Sequence, residues 1–107
     1  MEGKFNRFKN PTHPHTNMAK AALNMMTRTC SADYAKDFIY MNSVDTGWIN
    51  DEYPLREVVR RNETYGFVTP LDEIDAMARI LDPIFDGYNN GKNVFGLFLK
   101  DFEETDW

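Results

Sequence analysis

The chain has 107 residues, of which 42% are hydrophobic and 14% aromatic, and its formal net charge is −5. This length suits one small domain, and the composition is that of a folded protein rather than a disordered one. Phosphate neutralisation needs clustered Lys and Arg, so the acidic balance argues against nucleic-acid binding. No apolar run approaches the roughly 18 residues of a membrane span. We therefore expect a protein that binds neither nucleic acid nor a membrane.

The single cysteine and the start of the chain indicate the compartment. Cys30 cannot form an internal disulfide, which fits a reducing environment. The basic residues near the start surround no apolar segment of the kind that a targeting peptide requires, and Glu2 is acidic. The default expectation is a cytoplasmic protein.

The first third of the chain predicts a loop followed by a helix. Residues 1–15 combine Gly, Asn and Pro without a sustained period, which is typical of a loop. From about Thr16, apolar side chains recur at helical spacing and predict a helix that ends at Tyr34 or Ala35. Thr16 or Asn17 would provide the N-cap oxygen. The side chains expected in the core are Ala19, Ala22, Leu23, Met25, Met26 and Cys30.

Two apolar segments predict buried strands. Residues 38–44 are rich in aromatic and β-branched side chains, as expected of a strand covered on both faces. Residues 94–99 have the same character and follow the turn residues Asn89, Asn90 and Gly91. The acidic tail, residues 101–107, predicts a solvated end, although Phe102 and Trp107 could anchor a partner surface. Two strands are too few for a parallel sheet, so one apolar edge is expected to stay open.

The residues between the two strands predict two helices. Pro54 would open a short helix with Arg56, Arg60 and Arg61 on its solvent side, followed by a loop over residues 62–67. Thr69 and Pro70 are typical of a second helix start, with the Thr hydroxyl as cap. Pro83 would end or kink this helix. Its apolar face is predicted to contain Ile74, Met77, Ala78 and Leu81. The order helix, strand, helix, helix, strand predicts α/β architecture with parallel strands.

Four segments in this order resemble the C-terminal half of a short-chain dehydrogenase/reductase. They are residues 16–24 (TNMAKAALN), 41–49 (MNSVDTGWI), 69–74 (TPLDEI) and 91–99 (GKNVFGLFL). The opening residues 1–5 are also similar to the segment after the catalytic serine in that family. The resemblance implies that residues 1–107 are a single, incomplete Rossmann-like domain, without the nucleotide-binding half that precedes it in the family. It also implies that the family cofactor is NAD or NADP.

The resemblance assigns a role to two residues of the first helix. In the family a Tyr phenol exchanges a proton with the substrate, and a Lys one turn later favours its phenolate and holds the nicotinamide ribose. Lys20 matches that lysine, but Thr16 stands in the tyrosine position. An aliphatic hydroxyl is a poor proton donor or base at neutral pH, and His15 is the nearest other donor. For Lys20, an inherited cofactor contact and an ordinary surface lysine stay equally open.

A second implied cofactor contact is the turn after the first strand. In the family its backbone reaches the nicotinamide carboxamide, and Gly47 and Ile49 match this turn. Thr46 replaces the usual Pro, and Asp51 stands where a Thr is common. The glycine-rich phosphate turn and the catalytic serine are not among these residues, so we expect no tight cofactor binding by this chain alone.

Other constellations have simpler explanations. His13 and His15 flank a Pro without further ligands, which is typical of a loop rather than a metal site. Cys30 has no nearby base and is expected to be a small core residue. Two hypotheses remain: an NAD(P)-dependent oxidoreductase remnant without independent turnover, and a non-catalytic module that pairs with itself or with a longer homologue.

Overall fold

The structure, a computed structural model, describes residues 2–6, 8–49, 55–66 and 68–107. Within these ranges the chain forms three α-helices, a short 3-10 helix and one sheet of three strands. In chain order the elements are α1 (Pro14–Tyr34), the 3-10 helix (Ala35–Asp37), β1 (Ser43–Asp45), α2 (Leu55–Tyr65), α3 (Glu73–Asn90), β2 (Phe98–Lys100) and β3 (Glu103–Thr105).

The sheet has the order β1-β2-β3, and its first two strands are parallel. Ser43 lies beside Phe98 and Asp45 beside Lys100. The sequence prediction of two adjacent parallel strands joined by a helical connection is therefore confirmed, and the chain is an α/β protein. Because β1 lies at one end of this order, one of its edges has no strand beside it among the described residues.

The third strand corrects the prediction of a solvated acidic tail. β3 pairs antiparallel with β2, so the sheet is mixed rather than wholly parallel. Asp101 (φ 49°) and Phe102 (φ 70°) form the reversal between them, with the positive φ at both positions that a type I′ hairpin turn requires. Beyond the strand, the Trp107 ring stacks on Phe98 at 5.6 Å between centroids. The tail pairs because this apolar contact and the backbone bonds of β2 offset its charge.

Helix α1 begins two residues earlier than predicted. Its N-cap is His13 and its first residue is Pro14, so residues 14 and 15 belong to the helix and not to the loop. Proline suits this position because its fixed φ is helical and the first turn needs no amide from it. The prediction that Thr16 or Asn17 caps the helix is wrong: Thr16 is the third helical residue, and the Asn17 amide donates to the His13 carbonyl at 3.1 Å.

The end of α1 explains why the first strand is shorter than predicted. After the 3-10 turn, the Phe38 amide donates to the Ala35 carbonyl and the Ile39 amide donates to the Tyr34 carbonyl, both at 3.1 Å. This pair of bonds is the Schellman pattern, in which the residue after the helix is left-handed. Phe38 takes that position with φ 61° and is 80% exposed. Phe38 and Ile39 therefore terminate the helix, and of the predicted strand only Ser43 and Val44 belong to β1.

Helices α2 and α3 also depart from their predicted bounds. Residues 62–65, predicted as loop, complete α2, whereas Pro54 lies outside the described residues. The cap of α3 is not Thr69 but Asp72, whose carboxylate accepts from the amides of Ile74 and Asp75 at 2.9 Å. The Asp75 side chain accepts from the Asp72 amide in return, which completes a capping box. Pro83 does not end α3, which continues to Asn90.

The faces that α1 and α3 turn toward the sheet are small or polar. In α1, Thr27 and Ser31 are buried, and the Ser43 hydroxyl of β1 donates to Thr27 Oγ1 at 3.0 Å. In α3, the buried residue is Ala76. The prediction that the apolar faces of both helices lie in the core is wrong. The predicted core residues that are more than 45% exposed are Leu23, Met25, Met26, Ile74 and Met77.

The chain consequently exposes much more surface than an ordinary protein of its mass. Its accessible area is 8279 Å² for 12.5 kDa, whereas a folded monomer of this mass exposes about 6,200 Å². The radius of gyration is 16.4 Å, against about 13 Å for a compact chain of this length. Buried hydrophobic residues among those described are Ala76, Phe98 and Leu99. The sheet and its helices thus leave most of their apolar side chains uncovered.

Candidate functional site

Lys20, the proposed cofactor contact, is an exposed residue of α1, and Thr16 is half-buried one turn before it. Their spacing of four residues places both on one side of the helix. The backbone of Lys20 is crossed by Gly3, where an added Cβ would come within 2.7 Å of the Lys20 carbonyl carbon. The Gly3 amide also donates to Asn17 Oδ1 at 3.1 Å. The N-terminal segment therefore packs on this part of α1 and requires a glycine where it crosses.

Lys20 and the turn at Gly47 lie at the same end of the sheet. Thr27 of α1 contacts Ser43 of β1, and Ser31 lies within contact of Gly96 just before β2, so α1 runs antiparallel to the strands. Lys20 is seven residues before Thr27, a displacement of roughly 10 Å toward the carboxyl ends of β1 and β2. In α/β sheets this is the edge where ligands bind. Among the described residues, no hydrogen bond or ion pair connects Lys20 with the turn.

The turn after β1 has the backbone conformation that only glycine adopts easily. Gly47 has φ 81°, and its amide donates to Asp45 Oδ1 at 3.0 Å. A Cβ at this position would come within 2.4 Å of Leu71 Cδ1. Thr46 and Ile49 are half-buried beside it. Both the φ angle and the close approach explain why a glycine stands here, whether or not a ligand binds.

Two further residues around this turn have defined positions. The Ile49 carbonyl accepts from Thr69 Oγ1 at 3.4 Å, so the turn is connected to the segment before α3. Lys100 Nζ lies 3.3 Å from Asp45 Oδ2 and therefore neutralises a carboxylate at the end of β1. Asp51, predicted to disfavour a cofactor phosphate, lies outside the described residues.

The arrangement suits binding better than proton transfer. Lys20 offers a cation and Gly47 a turn at one edge of the sheet, but the residue one helical turn from Lys20 is the alcohol Thr16. An alcohol provides no group that ionises near neutral pH. Beside the Gly47 turn, the Asp45 carboxylate accepts from the Gly47 amide and pairs with Lys100, so this carboxylate holds the turn.

Asn42 is a connecting residue that sequence reasoning missed. Its Nδ2 donates to the Val94 carbonyl at 2.9 Å, and its Oδ1 accepts from the Leu97 amide at 3.1 Å. These two bonds add to the backbone bonds that join the same segments just before β1 and β2 begin, from the Gly96 amide to the Met41 carbonyl at 2.8 Å and from the Ser43 amide to the Leu97 carbonyl at 2.9 Å. The sequence does indicate such a role, since an Asn inside an apolar segment needs hydrogen-bond partners for its side-chain amide. Its effect is to hold the two strands in register.

Lys4 is a second residue that the sequence did not single out. It is 2% exposed, its Nζ donates to Thr105 Oγ1 at 3.1 Å, and it lies 4.5 Å from the centroid of the Phe98 ring. It thereby connects the N-terminal segment to β2 and β3 at a separation of about one hundred residues. A lysine in a loop is ordinarily solvated, and nothing in its sequence context distinguishes this one.

An apolar pocket of about 390 Å³ lies between the N-terminal segment and the start of α1. Its walls include Phe5, Pro11, Pro14, Met18 and Ala21, and it is not lined by Lys20, Thr46, Gly47 or Ile49.

No cluster of three or more His, Cys, Asp or Glu side chains fit for a metal occurs in the described part of the chain. Within the same residues, no helix is long and apolar enough to cross a membrane.

No protein family model matches the chain, and no solved structure matches it. The chain is similar to an uncharacterized protein of Acanthamoeba polyphaga mimivirus, with 37% identity over 91 residues. The match covers 78% of this chain and 19% of the viral protein, so the chain spans about one fifth of the length of that relative. Because the relative is uncharacterized, the similarity assigns no activity.

Proposed function

We propose that the chain is a short-chain dehydrogenase-like unit, cytoplasmic, that retains part of an NAD(P) site and has no turnover of its own. The observation that carries this proposal is the topology: α1 packs on β1, and β1 lies parallel beside β2 with α3 between them in the chain. This is the order that the sequence resemblance implies for the end of such a fold. The open edge of β1 is where a preceding parallel strand would add.

Two features at the carboxyl edge of the sheet support the cofactor part of the proposal. Lys20 lies toward this edge on α1, and Gly47 makes a left-handed turn there after β1. The residues fit a nicotinamide ribose and carboxamide as hydrogen-bond partners, Lys20 through its ammonium and residues 46–49 through their backbone. When bound, the cofactor would supply hydride transfer. With Thr16 in place of a phenol, this chain contributes orientation of the nicotinamide rather than proton transfer.

The first test measures cofactor binding by the chain alone. Titration calorimetry with NADH and with NADPH should show no binding at micromolar concentrations, because no glycine-rich turn takes the pyrophosphate. Micromolar affinity for either dinucleotide would contradict the proposal that a separate nucleotide-binding half is needed to bind the pyrophosphate.

The second test adds a nucleotide-binding half to the chain. Fusing the nucleotide-binding half of an active short-chain dehydrogenase before this chain should raise its melting temperature and create cofactor affinity together. In the fusion, Lys20→Met should weaken NAD(P)H binding about tenfold, equivalent to roughly 1.4 kcal/mol. Lys36→Met, at an exposed lysine of the 3-10 helix, is the matched control and should leave affinity unchanged. A fusion that folds cooperatively without binding either cofactor would refute the proposal.

A second candidate function is a non-catalytic module that associates with itself or with a longer homologue. The exposed surface favours it, because the apolar faces of α1 and α3 and the edge of β1 are uncovered among the described residues. Light scattering separates this candidate from an independent monomer. Self-association in the micromolar range supports it, and a monodisperse, cooperatively unfolding monomer contradicts self-association.

A further inference from the structure

Helix α3 presents a continuous apolar stripe away from the sheet. The stripe follows the spacing 3-4-3-4 along the helix, which keeps its members on one side. Tyr88 is 89% exposed, Ile74 64% and Ile84 60%. We use the name α3 stripe for Ile74, Met77, Leu81, Ile84, Phe85 and Tyr88. None of these six side chains is charged.

The opposite side of α3 already has its contacts. Ala76 is buried, and Arg79 binds Asp101 at the hairpin turn. At Gly87, an added Cβ would come within 2.8 Å of Asn93 Oδ1. Because this side of the helix packs on its own chain, the α3 stripe cannot turn inward without breaking those contacts. Its partner has to come from outside the described residues.

Five of the six members of the α3 stripe are symmetric in sequence about Leu81, and the sixth, Ile84, is mirrored by Ala78. Ile74 and Tyr88 lie seven residues on either side of it, and Met77 and Phe85 lie four residues on either side. When two copies of the helix cross antiparallel, each Ile74 therefore meets the partner copy's position 88, and the two Leu81 side chains meet at the axis. A two-fold interface requires such a self-complementary patch.

The exposed area suits a dimer of ordinary size. A large apolar or aromatic side chain exposes on the order of 200 Å² when fully accessible. Leu81 is half-buried, and the other five members are exposed by half or more. The α3 stripe thus offers roughly 700 Å² per copy, close to the roughly 800 Å² per partner of a standard interface. The outward side of α1 combines the exposed Met18, Met25 and Met26 with the smaller Ala19 and Ala22, and it offers less area.

We propose that two copies of this chain pair through the α3 stripe, antiparallel about a two-fold axis at Leu81. This rests on the association candidate above and is independent of the dehydrogenase one. Apolar side chains leave water without burying a charge, and the charged residues of α3 stay at the rim. The acidic net charge makes pairing somewhat stronger as salt screens repulsion between copies.

Sedimentation equilibrium of the chain over concentrations of roughly 1 to 100 µM tests this proposal. The expected species is a reversible dimer of twice the 12.5 kDa chain mass. Leu81→Glu should weaken dimerisation at least about a hundredfold, because it places two carboxylates together at the axis. Met25→Glu, on the outward side of α1, is the matched control and should leave it unchanged. A monomer throughout, or a dimer indifferent to Leu81→Glu, overturns the proposal.

Cross-linking keeps the proposal testable if Leu81→Glu unfolds the chain. In a Cys30→Ser background, Leu81→Cys should oxidise to a disulfide-linked dimer, since packed helices bring facing Cα atoms within disulfide reach at the axis. Asp82→Cys, one residue along and about 100° around the helix, should not. Equal cross-linking of the two variants contradicts the two-fold arrangement. If Met25→Glu abolishes association and Leu81→Glu does not, the chain associates through a surface other than the α3 stripe.

Discussion

The guanidinium of Arg79 donates from both Nε and Nη2 to a single carboxylate oxygen of Asp101, each bond 3.1 Å long. The same guanidinium lies 5.2 Å from the centroid of the Phe102 ring. Asp101 and Phe102 are the two left-handed residues of the turn between β2 and β3. Arg79 therefore connects α3 to the hairpin and holds both strained residues of its turn. This explains how a turn without glycine keeps its shape.

The first prediction concerns acid. The hydrogen bonds from Arg79, followed by the charge of Lys100, hold the pKa of Asp101 below its ordinary value of 3.8. A depressed pKa in the folded state stabilises the fold above pH 3.8, and this contribution is lost as pH falls from 3.8 through the folded value. Thermal melts between about pH 6 and about pH 2.5 should therefore show a steeper loss for the natural chain than for Arg79→Leu. Parallel pH profiles for the two proteins would contradict this prediction.

The second prediction concerns the left-handed end of α1. Phe38→Gly should stabilise the chain by about 1 kcal/mol, because a Cβ at positive φ is unfavourable and glycine removes it. Phe38→Ala is the control, since it shortens an exposed side chain but keeps the Cβ. It should change the free energy of unfolding by less than about 0.5 kcal/mol. Urea denaturation of the three proteins measures the difference, and equal stability of the Gly and Ala variants would show that φ is not the cause.

The third prediction concerns Asn42. Asn42→Leu should destabilise the chain by about 2 kcal/mol or more, because the Val94 carbonyl and the Leu97 amide both lose their partner. Asn89→Leu, on the exposed end of α3, is the matched control and should change stability by less than about 0.5 kcal/mol. Chemical denaturation followed by circular dichroism gives both values. A mild effect at position 42 would mean that water or the backbone replaces the amide.

The fourth prediction concerns the connection between the N-terminal segment and β3. Lys4 Nζ donates to Thr105 Oγ1, so a double-mutant cycle of Lys4→Met and Thr105→Val should give a coupling of about 1 kcal/mol. Methionine keeps most of the buried stem of Lys4 in contact with Phe98, so the cycle isolates the polar contact. Additive effects of the two substitutions would show that the bond between Lys4 and Thr105 does not stabilise the fold.

Sequence reasoning succeeded where one local signal decided the structure. Helical periodicity before residue 35 predicted α1, and the two apolar segments predicted the parallel pair of β1 and β2. It failed where two local signals competed. Phe38 has strand propensity, but it lies directly after a helix end and takes the left-handed conformation of a cap residue. The acidic tail has little strand propensity, but it forms β3 because the Trp107 ring stacks on the Phe98 ring.

The sides of α1 and α3 that face the sheet were predicted incorrectly for a different reason. Periodicity identifies which side of a helix is apolar, but not which surface that side meets. In α1 the side that meets the sheet contains Thr27 and Ser31, whose hydroxyls are small enough to approach β1 and Gly96 closely. The candidate site was assigned by resemblance, and the structure brings Lys20 and Gly47 to one edge of the sheet without a hydrogen bond or ion pair between them among the described residues.

The small hydrophobic core, with Ala76, Phe98 and Leu99 as its buried members among the described residues, has a consequence for the abundance of this protein in a cell. If its uncovered apolar surfaces are completed by another polypeptide, the folded fraction depends on how much of that polypeptide is present. A molecule made in excess of its partner would spend more time unfolded and would be degraded by quality-control proteases. Its steady-state level would then follow that of its partner rather than its own rate of synthesis.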